Sequence, residues 1–249
     1  MTSAFPGITD RYHDYTRHTF EFDGVRAMIV VPDQPRHGRL WLWRARLFDT
    51  FPYVDLAMLQ EGFYLVHIDI ADLYGGPAAL ARWDRFYEFL VREYSFARRP
   101  ILEGFSRGAL TVYNWAARNP EQVAAIYADN PVCDLRSWPL GLMSGPGSEV
   151  DAEKCLQAYG ITAVQAENFS GSPVDHLEPL VEAGIPIIHV CGDADEIVPY
   201  PENTGLLLER LRKLGGDMKL ILKPGQKHHP HSLEDPTPIV EFLIRNMRR

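Results

Sequence analysis

The sequence predicts an α/β protein: a mostly parallel, twisted sheet of about eight strands with helices on both faces. Two observations carry this. From about residue 39 onward, short apolar runs alternate with segments whose apolar residues recur at helical spacing. Alternating units of this kind imply parallel strands covered by crossover helices. The chain also has 249 residues, 46% hydrophobic and 23% charged, which suits one well-filled domain and argues against disorder.

The elements follow in order. Residues 19–31 hold two strands around Asp23-Gly24, a hairpin signal. Residues 39–44 read as a buried strand, 55–61 as a helix and 64–70 as a strand. Trp83, Phe86, Tyr87, Leu90, Val91 and Tyr94 repeat at helical spacing. A strand at 100–103, a helix at about 107–118 and a strand at 123–128 come next. Residues 186–191 form another buried strand, and Leu206, Leu207, Leu211 and Leu214 mark a helix that stops at Gly215-Gly216. Residues 218–222 are the last strand, and Thr237-Pro238 opens the final helix as cap and first-turn proline. Between 131 and 184 only one helix is evident, near 152–159. A stretch that long between core strands is expected to lie over a functional opening as a small lid. The whole chain, 1–249, is otherwise expected to be a single domain.

Composition narrows the function. The formal net charge is −8 and the pI about 5.6, without the basic stripe that nucleic-acid binding needs. Arg245, Arg248 and Arg249 at the end are read as solvated charges. Cys133, Cys155 and Cys191 form no CxxC pair, so neither a zinc ribbon nor a redox motif is indicated. The odd count suits reduced thiols. Residues 1–10 lack the basic and apolar regions of a signal peptide, and no run approaches 18 apolar residues. A cytoplasmic location with no membrane partner is therefore expected. The oligomeric state stays open, a homodimer included.

The chemistry-bearing motif is Gly104-Phe105-Ser106-Arg107-Gly108. A G-x-S-x-G between a strand and a helix throws the serine hydroxyl out at the carboxyl edge of the sheet, and the glycines permit close backbone approach. The plainer reading is a helix entry in which Ser106 only caps. Beyond the strand at 186–191, three carboxylates compete as the acid partner of a histidine: Asp193, Asp195 and Glu196. Beyond the last strand, His228, His229 and His231 compete as the base.

At this point the sequence resembles the serine hydrolases of the α/β-hydrolase superfamily, in their esterase-like branch related to dienelactone hydrolases and prolyl oligopeptidases. Residues 192–199 match the superfamily pattern G-x-x-D-x-x-V-P, which implies Asp195 as acid, with Asp193 a turn residue. Gly225-Gln226-Lys227-His228 matches G-x-x-H, which implies His228 as base and leaves His229 as runner-up. The order Ser…Asp…His is that superfamily's own. The resemblance runs from about residue 20 to the end, and it implies the α/β-hydrolase fold.

It further implies an oxyanion hole made by the backbone N–H of Arg107 and a donor from the loop after the third strand. Many relatives carry His-Gly there; this chain has Trp43-Arg44-Ala45-Arg46, which puts the donor near Arg46. Arg44, Arg46 and Arg107 suit an anionic or polyhydroxylated substrate, or else pair with Asp49, Asp69, Asp72 or Glu103. Arg44, Trp43, Trp138 and His229 are carried forward as substrate-binding candidates, with Tyr74 and Tyr200 as further aromatics. His67-x-Asp69 and the 72–76 stretch should reach the same sheet edge and receive no role.

His229 and His231 could present one face to a metal, but a third ligand is not evident and a G-x-S-x-G serine makes a catalytic metal unnecessary. No metal and no cofactor are expected. The expected activity is hydrolysis of a small carboxylic ester, such as an acetyl or carbohydrate ester, through an acyl-enzyme. A peptidase or thioesterase with the same triad is the alternative within enzymes. A non-catalytic ligand-binding relative and a metal-dependent hydrolase are the rivals outside that scheme.

Overall fold

The computed structural model describes residues 4–248; Met1 to Ser3 and Arg249, which bear on the leader and the basic end, lie outside them. The chain opens with an antiparallel meander of β1 (Ile8–Tyr12), β2 (Tyr15–Phe22) and β3 (Val25–Val31). Asp23 (φ 52°) and Gly24 (φ 74°) make the β2–β3 turn. Two consecutive positive φ angles match the twist of a two-residue hairpin, as the dipeptide predicts. Then come β4 (Trp41–Arg44), α1 (Tyr53–Gln60), β5 (Tyr64–Ile68), α2 (Pro77–Tyr94), β6 (Ile101–Phe105), α3 (Gly108–Arg118) and β7 (Ala125–Asp129). After them lie α4 (Glu149–Tyr159), α5 (Ala163–Glu167) and α6 (Glu178–Glu182). The chain ends with β8 (Ile187–Gly192), α7 (Thr204–Lys213), β9 (Lys219–Lys223) and α8 (Thr237–Asn246).

The nine strands form one sheet in the order β1-β2-β3-β5-β4-β6-β7-β8-β9. From β5 to β9 the neighbours are parallel; β3 joins β5 antiparallel. The strand beyond the expected eight is β1. Ile8 to Arg11 are exposed, so this edge strand carries no apolar pattern by which to be read.

Period-two alternation sends side chains to opposite faces. Trp41, Trp43, Val66 and Leu102 face a core filled by α2, α3, α6 and α7 through Trp83, Phe86, Val112, Leu180, Leu207 and Leu211. Leu42, Leu65, Ile101 and Ile188 face α1 and α8 through Val54, Met58, Ile239 and Leu243. α8 starts at Thr237, one residue earlier than a Thr237 cap requires. Pro236 takes the N-cap position, with no side-chain cap, and the Thr237 N–H donates to Asp235 Oδ1 at 3.0 Å. No described helix is long and apolar enough to cross a membrane.

The 131–184 segment contains α4, α5 and α6 and, among the described residues, no strand. Ser148 caps α4 by accepting the Asp151 N–H. A third apolar cluster, with Tyr74, Leu110, Trp138, Cys155 and Val198, joins this segment to the carboxyl edge of the sheet.

Two core histidines make stability pH-dependent. His67 hydrogen-bonds the Arg44 carbonyl at 2.9 Å, and His189 lies between Tyr113 and Thr204. Burial lowers His67 from 6.5 to about 4 and His189 to about 3. Their folded pKa values lie below the unfolded one, so on acidification the unfolded chain takes up protons first. Stability is intact above about pH 6.5 and falls by up to about 1.4 kcal/mol per pH unit per histidine down to their folded pKa values. Urea midpoints measured at pH 7.5, 6 and 5 should fall steadily; a flat series contradicts this.

Candidate active site

The turn from β6 into α3 has the geometry of a nucleophile elbow. Ser106 sits at φ 50°, a left-handed conformation that a non-glycine residue holds only where its surroundings enforce it. Its N–H donates to the Asp129 carbonyl at 2.9 Å, and its carbonyl accepts from Val132 N–H at 3.0 Å and Ala109 N–H at 3.1 Å. Gly104 permits this tight crossing: a Cβ there would lie 2.8 Å from the Ala109 Cα and 2.9 Å from its nitrogen. Gly104→Ala should therefore destabilise the fold by about 1–3 kcal/mol and lower specific activity. An unchanged urea midpoint would contradict the close approach.

Strands β6, β8 and β9 deliver three side chains to one point. His228 Nε2 lies 3.0 Å from Ser106 Oγ, and His228 Nδ1 lies 2.7 Å from Asp195 Oδ2. Asp195 Oδ1 accepts the N–H groups of Ile197 and Val198, both at 2.9 Å. Those bonds fix the carboxylate so that its other oxygen faces the imidazole. All three side chains are buried. Asp193 accepts the Gly225 N–H at 2.6 Å, the turn role expected of it, and Glu196 is exposed beside Lys227. His229 is exposed and packs toward Phe51 rather than onto Ser106.

Two supporting residues carried no sequence signal. Asn130 donates from Nδ2 to the His228 carbonyl at 2.7 Å and accepts the Gly192 N–H at 2.8 Å, tying the ends of β7 and β8 to the histidine loop. Asp129 bonds His231 Nδ1 at 2.7 Å through Oδ1, and through Oδ2 accepts the Ser232 N–H and the Tyr127 hydroxyl. Asp129 ends β7 and Asn130 follows it, past an apolar run that stops at Ala128, so nothing in the pattern marks them.

The loop after β4 lies against the elbow: a Cβ on Gly108 would be 3.1 Å from Arg46 Cβ and 3.6 Å from the Arg46 nitrogen. Among the described residues, neither the Arg46 nor the Arg107 N–H has a backbone or side-chain acceptor in the protein. Both remain available to an oxyanion. Leu47, Asp49 and Phe51 all have positive φ, so the loop needs bracing, and Arg44 supplies it. Its guanidinium donates to the carbonyls of Arg46 (3.1 Å) and Thr50 (2.5 Å) and pairs with Asp55, with Glu103 at 3.9 Å.

Two substrate-binding candidates are corrected here. Arg44 is 1% exposed and all its donors are turned inward; its main partner is Asp55 on α1, outside the set of acids expected. Trp43 is 0% exposed and stacks on Trp83 at 3.9 Å, so it is core and not pocket wall. Burial and then the neighbouring Asp55 hold Glu103 well above the usual carboxylate range.

Arg107 and Arg46 do reach the site's rim. Arg107 donates to the Tyr74 hydroxyl at 2.7 Å and to Asp151 of α4, and its guanidinium lies 4.8 Å over the Tyr74 ring. Burial first, then Arg107, lowers Arg46 to about 10; it stays charged at neutral pH. Trp138 stacks near Tyr74 at 6.4 Å with 8% exposure. Tyr200 is half-buried in a turn before α7.

A serine presented at the elbow of a mostly parallel sheet, in reach of a carboxylate-bound imidazole, defines a serine hydrolase of the α/β-hydrolase superfamily. Residues 86–247, well over half of the chain, match the sequence profile of the prolyl oligopeptidase family, and the chain belongs to that family. Its fold is similar to acylaminoacyl peptidase of Pyrococcus horikoshii, with a TM-score of 0.71 and 17% identity over 94% of this chain. It is also similar to dipeptidyl peptidase 4 of Porphyromonas gingivalis (0.67, 16%, 95% of this chain). A puromycin-hydrolysing peptidase of Mycobacterium tuberculosis is similar as well (0.69, 15%, 92% of this chain). This chain spans 42%, 36% and 38% of those proteins, respectively. At these identities the likeness is one of fold. Comparison with curated protein sequences gives no match.

Proposed function

We propose that this chain hydrolyses a small peptide or acyl-amide substrate through an acyl-enzyme. Ser106 is the nucleophile, His228 the base and then the acid, and Asp195 orients the imidazole. The Arg107 and Arg46 N–H groups receive the oxyanion. The observation that carries this reading is the Ser106–His228–Asp195 relay at 3.0 and 2.7 Å. His228 Nε2 takes the Ser106 proton as Oγ attacks the carbonyl carbon, and the new negative charge falls on the carbonyl oxygen. His228 then gives that proton to the leaving nitrogen, and the C–N bond breaks. Water, deprotonated by the same histidine, releases the acid and restores Ser106.

The family and the peptidase names of the similar folds favour an amide over the small ester expected from sequence. The mechanism itself accepts either leaving atom. The 131–184 segment serves as the lid, because Asp151 of α4 bonds Arg107 beside the nucleophile. The test compares N-acyl amino-acid p-nitroanilides with the matching p-nitrophenyl esters, using wild type and Ser106→Ala. Hydrolysis of both series, lost in Ser106→Ala, is expected. Turnover of esters alone would return the esterase reading. Turnover of neither would leave a ligand-binding relative.

A further inference from the structure

We propose that His228, His229 and His231 together form a zinc-binding site whose occupancy switches the hydrolase off. One ring nitrogen of each lies within 4.8 Å of the others. The three rings sit edge to face, with centroids 4.8 to 5.0 Å apart. The third ligand that His229 and His231 lack in the sequence is thus His228 itself. Tetrahedral zinc at about 2.05 Å from each nitrogen wants them roughly 3.3 Å apart. His229 is the exposed member of the three.

The surroundings are those of a metal site. Histidine ligands characteristically give their other ring nitrogen to a carboxylate, which fixes the tautomer. His228 Nδ1 is on Asp195 and His231 Nδ1 is on Asp129, both at 2.7 Å. Each therefore keeps Nε2 for another partner. His231 Nε2 is buried with no hydrogen-bond partner, and its side chain is 0% exposed. Asp129 and Asp195 together match the charge of a dication. Lys223 opposes it, but its ammonium is held by the carbonyls of Pro230 and Ser232.

Such a metal is not a cofactor for the reaction. The lone pair of His228 Nε2 that would bind zinc is the one that receives the Ser106 proton. Inhibition thus rests on His228 being the base, as proposed above, whereas zinc binding does not.

The test titrates zinc calorimetrically into the full chain as Ser106→Ala, alone and with His229→Ala or His231→Gln. Turnover by wild type is followed with zinc and then with EDTA. One zinc per chain should bind, at least about tenfold more weakly once His229 is removed. Zinc should stop turnover and EDTA should restore it. In His229→Ala, measured against its own rate, inhibition should need at least about tenfold more zinc. Absence of binding, or affinity unchanged in His229→Ala, overturns the site. If zinc binds through His229 but no substrate is turned over without it, the metal site stands and the hydrolase reading fails.

Discussion

Ser106→Ala and His228→Ala should each lower kcat by about ten-thousand- to a million-fold, and the double variant should be no slower than either alone. The reason is geometric. Ser106 Oγ, His228 Nε2, His228 Nδ1 and Asp195 Oδ2 form one chain with contacts of 3.0 and 2.7 Å. Removing either end of the Ser106–His228 bond removes the whole proton path, so the second deletion has nothing left to remove. KM should change little, because neither group is asked to hold the substrate in its ground state. Substrate turnover, measured with matched enzyme concentrations and circular dichroism to confirm folding, checks this. Additive losses, or His229→Ala as damaging as His228→Ala, would show that the wrong histidine has been assigned.

The second large effect is on stability. Arg44→Met should cost about 3–5 kcal/mol, because it leaves the Asp55 carboxylate buried without its cation. Asp55 and Glu103 are both 0% exposed, so water cannot stand in for the lost guanidinium. Arg44 also holds the carbonyls of Arg46 and Thr50, so the loop that presents the Arg46 N–H should loosen. Activity should then fall in kcat more than it rises in KM. Combining Arg44→Met with Asp55→Leu and Glu103→Leu should recover most of the stability, since a well-packed apolar replacement avoids the charge burial altogether. It should not recover kcat, because the loop still lacks its brace. Urea unfolding of the single and triple variants, alongside kcat, separates the two roles of Arg44.

The order of elements was legible because burial writes itself into the sequence. A strand covered on both faces reads as a continuous apolar run, and α2 shows its buried face at helical spacing through Trp83, Phe86, Tyr87 and Leu90. The elbow was legible because Gly104 and Gly108 are demanded by contacts under 3.2 Å. β1 was invisible because its residues are mostly exposed. The fates of Arg44 and Trp43 were invisible for a different reason. Adjacent strand residues face opposite ways, and only the folded sheet shows that Trp43 meets Trp83 while Arg44 meets Asp55 from α1, eleven residues on. The same limit hid Asn130 and the Asp129–His231 pair, whose partners lie 98 and 102 residues away in the chain. Local pattern carries no record of such contacts.

The most direct test of the central claim is to treat the full chain with a fluorophosphonate and map the adduct by peptide mass spectrometry. The relay predicts one adduct, on Ser106, formed in the wild type and absent from Ser106→Ala, with labelling slowed strongly in His228→Ala. An adduct on another residue, or undiminished labelling of Ser106→Ala, would contradict it.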